Sequence, residues 1–109
     1  MILSPTPTTH YNHQHRLPFE WAAVVRMKGE SNYTVFVLAN GHSYLSSKSL
    51  CVYQPHLPAG FVRVHKGCVV NREFVVRINP YTKGLLMQDG STVEVARRRW
   101  REVVEVVAS

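Results

Sequence analysis

Two dipeptides constrain the fold of this chain more than any other feature: Asn40-Gly41 and Asp89-Gly90. Each lies between two short strand-like runs, 34–38 (dense in β-branched and aromatic residues) and 42–45 around the first, 85–87 and 92–95 around the second. Glycine carries no Cβ to clash at positive φ, and Asn and Asp tolerate that region better than most residues. Such pairs between apolar runs are the strongest short-range signal for an antiparallel hairpin. A chain with two of them is expected to be mainly β.

The rest of the chain agrees. Trp21, Ala23, Val24, Val25 and Met27 read as a first buried strand, ended by a turn over 29–32. Ser46 and Ser47 are expected to cap a short helix, their hydroxyls accepting from orphan backbone N–H groups. Leu50, Tyr53 and Leu57 form its apolar stripe, and Pro55 stops it after about two turns. Residues 61–64 and 68–70 are two apolar runs around the turn His65-Lys66-Gly67. Strand alternation puts Arg63 and His65 on one outward face and Val62 and Val64 on the core face. Residues 74–78 read as a strand, followed by a loop over 79–84. At the C-terminus Trp100, Val103, Val104 and Val107 share a helical face, although Val104, Val106 and Ala108 fit a strand equally well; we read a short helix. Val24-Val25-Arg26 ahead of the first hairpin recurs as Val75-Val76-Arg77 ahead of the second. Two hairpin units in one β-fold generate that pattern with or without a duplication.

The 109 residues, 45% of them hydrophobic, suffice for one domain with a real core. Residues 1–18 differ in composition from the rest of the chain: they hold three prolines and few aliphatic residues, and are expected to form a flexible arm ahead of a domain over 19–109. His10, His13 and His15 fall in the arm at no ligand spacing, with no cysteine or carboxylate near in sequence, so no metal is expected there. Cys51 and Cys68 form no Cys-x-x-Cys, and two buried reduced thiols are expected. No apolar run approaches the roughly 18 residues of a membrane span, and no secretory leader is legible. A cytoplasmic protein is expected.

Thirteen Lys and Arg face seven Asp and Glu, a net charge of +6. That favours an anionic partner, nucleic acid being the commonest, though many small soluble proteins carry such a charge without one. Catalysis is not expected. The acidic residues are scattered singly, no Gly-rich loop precedes a helix, and no metalloprotease motif occurs. His65 and Cys68 are close enough in sequence for a dyad, but Cys68 opens an apolar run and should point inward. No cofactor and no small-molecule substrate are expected.

Polar clusters recur at the strand ends. Asn32 at the first turn can bond its own backbone or read adenine, and Tyr33 can donate to a phosphate or pack on the core rim. Lys48 lies on the first turn of the expected helix. Arg63, His65 and Lys66 surround the central turn. Arg97, Arg98 and Arg99 come directly after a strand; if a helix starts there, three cations sit at its positive end, an arrangement that an arriving phosphate would relieve.

In this order the clusters resemble the LytTR family of bacterial DNA-binding domains. The matching residues are Val24-Val25-Arg26-Met27-Lys28-Gly29-Glu30, Ser31-Asn32-Tyr33-Thr34, Asn40-Gly41, Tyr44-Leu45 and Ser47-Lys48-Ser49-Leu50. They continue with Leu57-Pro58, Phe61-Val62-Arg63-Val64-His65-Lys66, Val69-Val70-Asn71, Asp89-Gly90 and Val93-Glu94-Val95-Ala96-Arg97-Arg98. The resemblance implies elongated antiparallel β-sheets, or a sandwich, with one or two short helices. It implies loops that enter the major groove of double-stranded promoter DNA, often at direct repeats and with a second copy alongside. Carried over by position, the contacts fall on Asn32 with Tyr33, on His65 and Lys66, and on Arg97 with Arg98. Asn71 should steady the turn backbone. Ala96 and Gly67 stand where serine is frequent in the family. Many members carry a receiver domain ahead of this module; here the Pro/Thr/His arm stands in that place, and phosphorylation within the chain is not expected.

The function expected is therefore sequence-specific DNA binding in transcription regulation, through Asn32, Tyr33, Lys48, Arg63, His65, Lys66, Arg97 and Arg98. The alternative is a protein–protein interaction module of a bacterial regulatory system that binds partners through an edge strand and aromatic residues. A weaker third reading is non-specific RNA binding through Tyr33, Tyr44 and Phe61.

Overall fold

A computed structural model of the protein describes residues 17–109. The three histidines of the arm lie outside the described residues. A single 3-10 turn, Trp21–Ala23, leads into β1 (Val24–Glu30), β2 (Tyr33–Leu38) and β3 (Ser43–Ser46). Next come α1 (Leu50–Tyr53), a 3-10 turn Gln54–His56, β4 (Phe61–His65) and β5 (Cys68–Asn71). A 3-10 turn Arg72–Phe74 precedes β6 (Val75–Asn79), β7 (Gly84–Met87) and β8 (Thr92–Glu94). The chain closes with a 3-10 turn Arg97–Arg99 and α2 (Trp100–Ala108). The strands form two antiparallel sheets, one of five in the order β3-β2-β1-β5-β4 and one of three in the order β6-β7-β8.

Both expected hairpins form, and with the same turn. Leu38 N–H bonds the His42 carbonyl at 2.9 Å and Gly41 N–H the Leu38 carbonyl at 3.0 Å. Met87 N–H bonds the Ser91 carbonyl at 2.9 Å and Gly90 N–H the Met87 carbonyl at 2.9 Å. Each loop is thus three residues long and ends on glycine, at φ +90° for Gly41 and +88° for Gly90. That is the left-handed position a three-residue hairpin demands. The side chains of Asn40 and Asp89 accept the backbone N–H two residues on, at 2.9 and 3.0 Å.

The five-stranded sheet is covered on both faces. On one, Val25, Val62, Val64, Cys68 and Val70 meet Leu85, Met87 and Val93 of the smaller sheet, Val103 of α2, and Val95 from the segment between them. On the other, Val24, Met27, Phe36 and Val69 meet Leu50 and Tyr53, with Phe19, Trp21, Tyr44 and Phe61 packed against them. The aromatic rings interlock edge to face, Phe36 with Tyr53 at 5.1 Å and Trp21 with Phe61 at 5.5 Å. Tyr44 and Phe61 therefore serve the core, not a base-stacking platform. Leu17 joins this cluster at 2% exposure, although the sequence reading leaves it in the arm.

Four local expectations need correction. Trp21 and Ala23 form a 3-10 turn ahead of the strand and not the strand itself. Ser46 and Ser47 do not cap α1: β3 continues to Ser46, whose buried hydroxyl shares a hydrogen bond with Tyr53, and Ser49 takes the cap position, its hydroxyl bonded to Cys51 Sγ at 3.3 Å and not to a helix N–H. Cys51 is exposed, on the outer side of the short helix, whereas Cys68 is buried as expected. Finally, a register shift between Arg63 and His65 breaks the alternation of β4. Arg63 lies opposite Val69 and His65 opposite Cys68, residues of the two different cores. Directly opposed residues share a face, so the bulge puts Arg63 and His65 on opposite faces of the sheet. The C-terminal helix forms as read. Asn71, 3% exposed, donates to the Val24 carbonyl at 3.0 Å and accepts from Glu73 N–H at 3.0 Å, the backbone role expected of it.

Candidate nucleic-acid interface

The antiparallel order gathers the polar clusters at one end of the large sheet. β1, β3 and β4 all finish there, and β2 and β5 begin there, as the pairs Glu30 with Tyr33, Thr34 with Ser46 and His65 with Cys68 require. The Ser31-Asn32 turn, the segment carrying Lys48 and the Lys66-Gly67 turn are therefore neighbours in space.

Asn32 and Tyr33 are exposed on the first turn, which Ser31 opens at φ +53°. Lys48 is exposed on the β3–α1 connection, two residues before the helix on which the sequence reading placed it. Its backbone is fixed from both sides: Thr34 Oγ1 donates to its carbonyl at 2.8 Å, and its N–H donates to Ser46 Oγ at 3.2 Å. Thr34 is fully buried, so this anchor ties the Lys48 segment to the start of β2.

The central turn is braced by Arg63. Its Nε donates to the His65 carbonyl at 3.3 Å, Nη1 to Gln54 Oε1 at 3.1 Å, and Nη2 to the Lys66 carbonyl. Two of these bonds hold the turn's own backbone, and three of the five guanidinium N–H donors are engaged in all. His65 Nδ1 accepts Gly67 N–H at 3.0 Å, which leaves Nε2 to carry the proton of a neutral ring. Lys66 is exposed. A Cβ at Gly67 would meet only ordinary contacts, the nearest His65 Cε1 at 3.5 Å, so a serine side chain would fit there.

Arg97 reaches the same end through a strap between the sheets. Val95 N–H bonds the Lys83 carbonyl at 2.9 Å on one side, and Ala96 N–H bonds the Val64 carbonyl at 2.8 Å on the other. Ala96 then caps the Arg97–Arg99 turn without a side-chain bond, where a serine would supply one. Arg97 and Arg98 are exposed and Arg99 half-buried, and the turn runs directly into the positive end of α2.

An open groove of about 590 Å³ results, lined by His65, Lys66, Tyr81, Thr82, Lys83, Glu94, Val95, Ala96 and Arg97. A second hollow of about 300 Å³ adjoins it across His65 and Glu94 and brings in Arg26 and Lys28. Among the described residues the only ion pair is Arg72 with Glu73 at 3.6 Å, so the cations of this end are not neutralised internally. Tyr81, Thr82, Lys83, Arg26 and Lys28 were missed from sequence. Lys83 stands alone among polar loop residues, and the alternation of β1 makes Arg26 and Lys28 look like ordinary outward charges.

Nucleophilic chemistry has no support here. Burial pushes the Cys68 thiol up to about 11, with Arg26 and Lys28 only partly offsetting it, so it stays protonated near neutrality. Among the described residues no cluster of His, Cys, Asp or Glu could hold a metal ion, and no helix is long and apolar enough to cross a membrane.

Comparison with known proteins places the chain in a family and matches its fold. The chain is 39% identical over 70 residues to the sensory transduction protein LytT of Bacillus subtilis, a match that covers 61% of this chain and 29% of that protein. It therefore spans under a third of the length of that relative. Its fold superposes on a LytTr DNA-binding domain from Bacillus cereus with a TM-score of 0.75 at 21% identity, covering 85% of this chain and 88% of the other. The family profile described as the LytTr DNA-binding domain matches residues 14–108, nearly the whole chain. This chain belongs to the LytTR family of DNA-binding domains.

Proposed function

We propose that this chain binds double-stranded DNA sequence-specifically and regulates transcription, in the cytoplasm, by seating its loop end in the major groove. The observation that carries this is the convergence of Asn32, Lys48, His65, Lys66 and Arg97 at one sheet end, with Lys48, Lys66 and Arg97 in no ion pair among the described residues. Asn32, Lys66 and Arg97 are the candidates for base edges, because amide and guanidinium groups can bond a base in two places at once and lysine can reach guanine. Tyr33, Lys48, His65 and Arg98 are suited to phosphates, which position the protein without reading sequence. Arg63 serves the same contact indirectly, by holding the turn that presents Lys66. Binding at promoter direct repeats, with a second copy on the same DNA, follows from the family resemblance. The protein-interaction alternative leaves the charged groove unexplained.

Selection of bound duplexes from a random library at physiological salt tests the reading. An enriched motif is expected, with a log–log salt slope of about −4 to −5 for roughly five phosphate contacts. Arg97→Ala should cost about 1–3 kcal/mol on the selected site and less on random duplex. No enrichment and a slope near zero would overturn the proposal.

A further inference from the structure

The groove has a wall that the three expected contact loops do not supply. It is the β6–β7 loop with Tyr81, Thr82 and Lys83, facing His65, Lys66 and Arg97. Tyr81 is 96% exposed, an aromatic side chain with almost no packing of its own. The loop is held in shape from within, since Asn79 Oδ1 accepts the N–H groups of Tyr81 at 3.0 Å and Thr82 at 3.3 Å. Lys83 is half-buried, and its ammonium lies over the Trp100 ring, 5.1 Å from the centroid, at the start of α2. Its position relative to Arg97 is thereby set by the same helix end and by the Val95 bond to its carbonyl.

We infer that this loop is a fourth DNA contact, one that holds backbone phosphates across the groove from Lys66 and Arg97. This rests on the DNA-binding reading and extends it to residues outside the expected contact set. Charge complementarity commits the wall to an anionic occupant: Lys66, Lys83 and Arg97 line the groove against a single carboxylate, Glu94. The loop suits phosphate. A phenol, a hydroxyl and an ammonium donate to phosphate oxygens, the loop tip has no Arg, Asn or Gln for paired bonds to a base edge, and Lys83, the one residue of the three types that could reach guanine, is held against Trp100. An ammonium held against Trp100 also stays at the groove rim, where a phosphate strand passes.

The test titrates the whole chain and its Lys83→Gln, Lys83→Arg and Tyr81→Phe variants against the selected duplex and a random one across a salt series. Lys83→Gln should weaken both duplexes by the same factor, on the order of five-fold, and reduce the slope magnitude by about 0.9. Lys83→Arg should restore both. Tyr81→Phe removes one exposed donor without touching the fold, and should weaken both duplexes about three-fold. Unchanged affinity and slope in Lys83→Gln and Tyr81→Phe, with the parent binding normally, would overturn this inference and leave the DNA-binding reading standing. Loss confined to the selected duplex would overturn the phosphate assignment. A parent that binds neither duplex would overturn both.

Discussion

Cys68 and Arg63 show how far a residue's type leaves its role open. Both are reactive or charged in isolation, yet Cys68 is buried in the core and Arg63 braces its own turn. Cys68 is 4% exposed, and burial holds its folded pKa near 11. In the unfolded chain the thiol ionises near pH 8.5–9. The folded pKa is raised, so the stabilisation is complete below the unfolded value and is lost as pH climbs through the folded one. Stability should therefore fall by about 1.4 kcal/mol per pH unit above pH 9. Denaturant melts from pH 8 to 10 should show that fall in the parent and its absence in Cys68→Ala. Tyr53, whose pKa burial also raises, adds its own loss only above about pH 10, so the lower part of the window reports Cys68.

At the scale of elements, the β4–β5 turn shows what short-range patterns miss. Alternation of Val62, Arg63, Val64 and His65 was legible, and both valines are buried as that pattern requires. The bulge after Arg63 was not, because a register shift depends on the partner strand and leaves no mark on one strand's sequence. Its consequence is functional: Arg63 turns to the face where it meets Gln54, while His65 turns to the groove. Arg63→Ala should weaken binding to the selected duplex by loosening the turn, yet leave the salt slope unchanged because no phosphate contact is lost. A slope reduced by about 0.9 would instead show that Arg63 touches a phosphate. The hairpins were readable for the opposite reason. Asn40 and Asp89 bond their own loops and Gly41 and Gly90 adopt positive φ, all within a few residues.

For the whole molecule, one core ties the two sheets together. Leu85, Met87 and Val93 of the smaller sheet pack with Val25, Val62, Val64 and Val70 of the larger, and α2 closes the cluster with Val103. The strap through Val95 and Ala96 that positions Arg97 beside Lys66 runs over this contact. The sheets should therefore unfold together. Leu85→Ala, at a site 1% exposed, should cost about 2–5 kcal/mol, and a denaturant melt should keep a single transition by both tryptophan fluorescence and circular dichroism. Two separate transitions would show that the sheets are independent. By itself the sequence determined most of the strands, the glycine-closed hairpins and the types of residue at the contact loops. These depend on φ preferences, side-chain period and charge, which act within a few residues. Only the tertiary structure decided that the loops converge at one sheet end, that His65 faces the groove and Arg63 does not, and that the Tyr81–Lys83 wall stands opposite Arg97. Those are set by strand order, register and the packing of one sheet on another, which join residues far apart in the chain.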